Sequence, residues 1–330
     1  MRIDRFICFL IAAVLFTSCL TAANISKEEF NRLRQVEKVI KSQISEMESE
    51  FKASKTLEKY KKEYLAAVPA STPKALSEAE MARKLAESPL VLIGDEHTTD
   101  RSQQNTIMVL KLMKTGTKPV TLVIEWIDIT HQADVDSFLA GKTALKDLRA
   151  KTGFDKLWGF SWASYSKVLN AARSTKTPVL LVERLKGAQK SLYERDDFIT
   201  ATIGAHAKKN PDMRYLVAYG DYHILGKDHL SDKLAKAGFK NQLCLIGEAG
   251  ETWWKLLGSL KDPAKIGFAA LSNSVYYIFS GSPLERSLSY RNYLMKMLGY
   301  KKADFDEWIG PADIVPLSSA AGNFNQLHRD

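Results

Sequence analysis

Apolar residues recur along this chain in two rhythms. From Ile25 to about Ala67 they come at every third or fourth position: Leu33, Val36, Ile40, Ile44, Met47 and Phe51 stand among charged residues, with no glycine or proline between. That spacing draws one apolar stripe along a helix and predicts a long amphipathic helix, or a helix pair, over 25–67. Two roles suit it equally: a spacer holding the main domain away from a membrane, or a helix whose stripe packs on that domain. VPASTPKAL at 68–76 reads as a linker. Ser77, with Glu80 three residues on, has the capping-box pattern of a helix start.

After Ser77 the rhythm changes. Short runs rich in Val, Leu and Ile occur at 89–93, 120–125, 178–183, 214–219 and 242–246. They are apolar on both faces, as strands inside a parallel sheet are. Helical stretches at 101–114, 161–173, 191–209 and 229–237 lie between them, the first with Asp100 as its expected N-cap. The alternation predicts an α/β fold: a mostly parallel sheet flanked by helices, with an N-terminal helical extension. KIGFAAL at 265–271 and VYYIFS at 275–280 read as further strands, and 284–298 as an amphipathic helix.

Composition narrows the class. With 45% hydrophobic and 26% charged residues the chain is that of an ordinary globular protein. The net charge of +9 is spread along the chain, with no basic run interleaved with aromatics. A nucleic-acid partner is therefore not expected. Residues 1–23 have the layout of a secretory signal: Arg2 and Arg5, an apolar stretch from Phe6 to Phe16, then FTSC at 16–19. The cysteine resembles a bacterial lipobox, which would make Cys19 a lipidated first residue and anchor the protein to a membrane of the cell envelope. Phe16 stands where leucine is usual, and cleavage after Ala23 is the alternative. Cys8 leaves with the signal, so Cys244 has no partner for an internal disulfide.

Ligands of parallel α/β sheets bind beyond the carboxyl ends of the strands, and there this chain concentrates its ionisable residues. The first run ends in Gly94, Asp95, Glu96 and His97, and the second in Glu125. The third ends in Glu183, the fourth in Gly220, Asp221, Tyr222 and His223, the fifth in Gly247 and Glu248. Carboxylates converging on one edge repel one another unless something positive sits among them. His97, Glu125 and His223 have the composition of a two-histidine, one-carboxylate metal site. A lone GxxH is weak, since GKDH at 226–229 satisfies it without following an apolar run. Two glycine-to-histidine turns at matching strand ends, with a strand-terminal glutamate between, carry more. No GxSxG elbow, phosphate loop, GxGxxG, HExxH or paired CxxC is present.

LIGDEHTTD at 92–100, TLVIEW at 121–126, YERDDFITATI at 193–203 and VAYGDYHILGKDHLSDKL at 217–234 together resemble the ChaN-like haem-uptake lipoproteins. Those proteins share a superfamily with the Tiki proteases and the erythromycin-esterase-like enzymes. The resemblance spans roughly 88–250 and implies an α/β domain over 77–330, behind a signal at 1–23 and a helical spacer and linker at 24–76. It implies functional roles for His97, Glu125, His223 and either Glu96 or Asp95, because GDEH has aspartate where the family usually has glutamate. The Arg195–Asp196 pair matches the family's Arg-Asp helix.

Two functions follow. In the first, preferred narrowly, the protein binds haem or an iron-group or other divalent metal (Fe, Mn or Zn), with His97, His223 and Tyr222 facing the cofactor. In the second it is a metal-dependent hydrolase of a peptide or ester, with Glu96 or Glu125 as general base. Asp95, Glu183, Arg195, Asp196 and Asp221 would support either site from behind.

Overall fold

The computed structural model describes residues 26–50, 55–186, 191–248, 251–259, 267–279 and 281–299. The signal segment and Cys19 lie outside the described residues. One sheet runs through the molecule, built from β1 (Lys74–Leu76), β2 (Leu90–Asp95), β3 (Val120–Asp128), β4 (Val179–Glu183), β5 (Arg214–Gly220), β6 (Gln242–Ile246), β7 (Phe268–Ala270) and β8 (Val275–Ile278). Its order is β1-β7-β8-β6-β2-β5-β3-β4. From β4 to β8 all pairings are parallel; β7 is antiparallel to β8, and β1 to β7. The expected α/β class is the observed one. The segment expected to be only a linker contributes β1, whose three residues are too few for a period to show.

The strands are apolar on both faces because both are covered. Leu90 and Leu92 of β2 join one core with Tyr215, Val217 and Tyr219 of β5, while Val91 and Ile93 join the opposite core with Leu216 and Ala218. The covering helices are α1 (Lys27–Glu50), α2 (Lys55–Ala67), α3 (Glu78–Glu87), α4 (Asp100–Met113), α5 (Gln132–Leu139), α6 (Leu145–Thr152), α7 (Phe154–Leu157), α8 (Trp162–Ser174), α9 (Leu192–Lys209), α10 (Asp221–Ile224), α11 (Leu230–Lys236), α12 (Thr252–Ser259) and α13 (Pro283–Leu298). Ser77 caps α3 in a complete capping box with Glu80. The cap of α4 is Thr99 rather than Asp100: the Thr99 hydroxyl accepts the Arg101 N–H, and Asp100 is the first helical residue.

The N-terminal periodic segment is a helix pair packed on the sheet. Leu33, Ile40, Ile44 and Met47 of α1 and Tyr64 of α2 are buried in the same core as Leu90 and Val217. On the opposite end of the strands, Arg214 is buried at the start of β5. Its guanidinium donates to the carbonyls of Ala86 at 2.6 Å, Met113 at 2.7 Å and Lys118 at 2.7 Å. One side chain thereby satisfies backbone acceptors left over where α3 and α4 end.

Candidate functional site

Side chains alternate across a strand, so the acids crowded at the end of β2 part company. Asp95 lies on the face of Val91 and Ile93, where its carboxylate accepts from the Tyr165 hydroxyl at 2.8 Å and from Gln103 Nε2 at 2.7 Å. Glu96 follows on the other side, toward Arg286 of α13, with 3.7 Å between Glu96 Oε2 and Arg286 Nε. His97 returns over the strand ends. Its Nδ1 stands 3.2 Å from Asp95 Oδ2 and its Nε2 3.2 Å from Glu125 Oε1.

Glu125 reaches this position because β3 breaks register with β4 between Ile124 and Asp128, and such irregularities re-aim side chains at sheet ends. The second Glu125 oxygen accepts the Gly220 N–H of β5 at 3.0 Å. Burial by itself would lower the His97 pKa, but Asp95 and Glu125 outweigh it and lift it to about 9. Burial raises the Glu125 pKa, against the pull of His97, Arg195 and His223. His97 is about a quarter exposed (26% of its side chain). That exposed part is walled by Trp158, 4.8 Å between ring centres, and Phe160, 5.1 Å. Tyr293 of α13 stacks on Phe160 at 5.1 Å.

The second histidine turn is held from behind. His223 Nδ1 lies 2.6 Å from Asp196 Oδ1 and 2.9 Å from the Tyr60 hydroxyl of α2, which itself donates to Asp196. Tyr60 stacks face to face on the fully buried His229 with 3.8 Å between ring centres. His229 in turn meets the Tyr222 carbonyl through Nδ1 at 2.8 Å and Glu63 through Nε2 at 3.2 Å. Gly220 lies between the two turns. A Cβ there would stand 3.3 Å from His97 Nε2 and 3.5 Å from His223 Cδ2, so a side chain would crowd both rings.

Glu183 at the end of β4 pairs with Arg195, whose Nη2 lies at 2.7 Å and Nε at 3.0 Å; it also accepts from the Tyr219 hydroxyl. Around Glu96 a second group gathers. Asp221, Glu248 and Arg286 interact with it and with one another. Burial raises the Glu96 pKa to about 8; Arg286 opposes the rise, and Asp221, Glu248 and Asp95 add to it. Burial likewise lifts Asp221 to about 6, with Arg286 and the Gly247 N–H opposing and Glu248 adding.

The expected residues therefore divide. His97, Glu125 and Asp95 are in contact, His223 and Asp196 form a second pair, and Glu183 and Arg195 a third. Glu96 and Asp221 belong to the separate Arg286 group. The expected metal centre of His97, Glu125 and His223 needs correction: among the described residues no three His, Cys, Asp or Glu side chains are placed to hold one ion. His97 and Glu125 do meet, at 3.2 Å, but His223 turns its Nδ1 away to Asp196 and the Tyr60 hydroxyl. Tyr222 packs edge-on against Tyr64, 5.4 Å between ring centres, under Lys61.

Sequence reasoning did not reach Tyr60, Tyr165 or Arg286. Tyr60 sits in a helix whose pattern reads as an ordinary amphipathic face. Tyr165 is one aromatic among several in its stretch. Arg286 is one of two arginines, with Arg291, among the apolar residues of 284–298, and nothing in the pattern separates them.

Among known families, residues 81–183 match the model described as "Haem-binding uptake, Tiki superfamily, ChaN". No curated protein matches the sequence. Similar solved structures include the type III effector HopBA1, with 15% identity over 55% of this chain and 87% of that one, at a TM-score of 0.41. The ChaN of Campylobacter jejuni, solved in a study of cofacial heme binding, shares 15% identity over 61% of this chain and 91% of that one, at 0.39. The C-terminal region of the Pasteurella multocida toxin shares 12% identity over 63% of this chain and 30% of that one, at 0.39. The family suggested by the strand-end motifs is the one whose model matches residues 81–183, roughly a third of the chain, and that segment supplies Asp95, Glu96, His97, Glu125 and Glu183.

Proposed function

We propose that the protein is a ChaN-like haem binder whose ligand lies against Trp158 and Phe160 beside His97. The observation that carries this reading is the partly exposed His97 ring framed by those two aromatic side chains. Planar conjugated ligands stack on aromatic walls, and an imidazole is a common axial ligand of haem iron. The matching family model, described as haem-binding uptake, supports the same ligand. Only a neutral imidazole donates a lone pair to iron. His97, held protonated between Asp95 and Glu125, would have to release a proton to ligate, so affinity should rise with pH up to about 9. A lipid on Cys19, or cleavage after Ala23, would place this binder in the bacterial cell envelope; mass analysis of the mature N-terminus decides between the two.

The test is a haem titration followed by difference absorption. A Soret shift saturating near one or two haems per chain, and lost in His97→Ala and Trp158→Ala, is expected. Stoichiometric binding that survives both substitutions would refute the placement.

A second reading is favoured by one further arrangement. Two histidines, each backed by an aspartate, flank Gly220 from either side. Such pairs suit general acid–base hydrolysis of a peptide or ester, with His97 as acid and the His223–Asp196 pair as base. Turnover of a peptide or ester that disappears in both His97→Ala and His223→Ala, without haem binding, would establish it. No turnover across such a panel would remove it.

A further inference from the structure

The two histidines at the strand ends differ in what their ring nitrogens meet. His97 turns both nitrogens to carboxylates, those of Asp95 and Glu125. His223 turns only Nδ1, toward Asp196 Oδ1 at 2.6 Å. Its side chain is 9% exposed, and its Nε2 has no hydrogen-bond partner among the described residues. A carboxylate accepts and does not donate, so the contact with Asp196 puts the ring proton on Nδ1 and leaves a lone pair on Nε2. The ring carbon next to Nε2, Cδ2, lies 3.5 Å from a Cβ built on Gly220, and His97 Nε2 lies 3.3 Å from the same point. The open edge of His223 therefore borders the gap between the two histidines.

What holds Asp196 comes from elsewhere in the chain. Asp196 is fully buried, and its second oxygen accepts from the Tyr60 hydroxyl, which also stands 2.9 Å from His223 Nδ1. A hydroxyl that gives its proton to Asp196 meets Nδ1 as an acceptor, which again requires the proton on Nδ1. Tyr60 is seated in turn on the GKDH turn at 226–229, the glycine-to-histidine spacing that follows no apolar run. At Gly226 φ is +134°, and a Cβ would fall 2.7 Å from His229 Cγ, so glycine lets the turn close over that ring. The His229 ring lies flat on Tyr60, 3.8 Å between centres and 7° between planes. Its rotation is fixed by the Tyr222 carbonyl at 2.8 Å and Glu63 at 3.2 Å. We propose that Tyr60 is a positioning residue: seated on His229, it fixes Asp196 and thereby the tautomer of His223, so that Nε2 is the nitrogen that takes a proton from an attacking water. This role rests on the second reading above for the use of His223 as a base. It makes α2, which lies outside the segment matched by the family model, a working part of the site.

Nitrogen-15 NMR of the full chain with labelled histidine tests it without a substrate, at about pH 8, above the ordinary histidine value of about 6.5. His223 should show a protonated Nδ1 and a lone-pair Nε2. Tyr60→Phe keeps the ring on His229 and removes the hydroxyl. The fraction of His223 carrying its proton on Nε2 should then rise about two- to ten-fold, as loss of one hydrogen bond allows. Tyr193→Phe is the control. Its ring also packs on Tyr60, 5.2 Å between centres, and its hydroxyl bonds to Glu63, but it makes no hydrogen bond to Asp196 among the described residues. It should leave the His223 nitrogens unchanged. A thermal melt checks that each variant is folded, and the spectrum of the unaltered chain tests the tautomer with no variant. A proton on Nε2 in the unaltered chain, an unchanged nitrogen pair in folded Tyr60→Phe, or an equal change in Tyr193→Phe would each overturn the proposal. Absence of peptide or ester turnover would remove the second reading while the nitrogens are still read directly, so the two can fail separately.

Discussion

Gly94 is where the two strand-end motifs touch, and replacing it offers a quantitative test. A Cβ at Gly94 would fall 1.8 Å from Asp221 Oδ1, 2.7 Å from Asp221 Cγ and 3.3 Å from Asp221 Cα. The last of these is backbone, so turning the carboxylate aside does not remove the whole conflict. It also breaks the bond between Asp221 and the Gly247 N–H. Overpacking of a tight interior costs about 1–3 kcal/mol, and the lost hydrogen bond about 1–2 kcal/mol. Gly94→Ala should therefore destabilise by about 2–5 kcal/mol, read as a lower urea midpoint at unchanged slope. Gly204, inside α9, is the control: nothing lies within 4 Å of a Cβ added there. Gly204→Ala should stabilise by about 0.5–1 kcal/mol, through helix propensity and a less free unfolded chain. If Gly94→Ala unfolds at the wild-type urea concentration, or both substitutions shift it in the same direction, the close approach of Asp221 to β2 is wrong.

His97, raised to about 9, contributes stability that is fully present below its unfolded value of about 6.5 and is lost as pH rises through 9, on the order of 3 kcal/mol in all. Its ring protons followed by NMR should titrate near the raised value, and titration near 6.5 would contradict the pairing with Asp95 and Glu125. Tyr60→Phe removes the hydroxyl shared by Asp196 and His223; it should cost about 1–2 kcal/mol and move the His223 Nδ1 nitrogen resonance, and an unmoved resonance would rule out the contact. Arg214→Met strips the buried carbonyls of Ala86, Met113 and Lys118 of their donor. A loss of about 3 kcal/mol or more is expected in a urea melt, and a change below about 0.5 kcal/mol would show those carbonyls satisfied otherwise.

The sheet was legible because parallel strands covered on both faces leave continuous apolar runs, and each of the five expected runs became a strand with its acids at the carboxyl end. The contact of His97 with Glu125, and of both histidine turns with Gly220, followed from that placement. Which acid went where did not. Asp95 and Glu96 are adjacent in sequence and part to opposite sides of the sheet, a matter of strand phase at its last residue, where a shift of one position exchanges their partners. A composition of ligand types also says nothing about local competition: Asp196 and Tyr60 take His223 Nδ1, and only the fold brings residue 60 to residue 223. Arg286 was hidden for the same reason, its partners lying some 40 to 190 residues upstream while its own helix looks like any amphipathic surface.

That distance along the chain makes the site a record of completed folding. Tyr60 arrives on α2, His97 and Glu125 on the first central strands, His223 after β5, and Arg286 on α13 near the C-terminal edge of the described residues. Contacts that close such long loops form late, after their entropy has been met by more local structure. During synthesis the chain emerges from its N-terminus, so β2, β3 and β4 are exposed well before Arg286 can reach Glu96. Until then Glu96, Asp221 and Glu248 face one another without their cation. A nascent or truncated chain can hold much of the sheet and still lack this group, so the pairing of Arg286 with Glu96 and Glu248 reports on the last helix to dock.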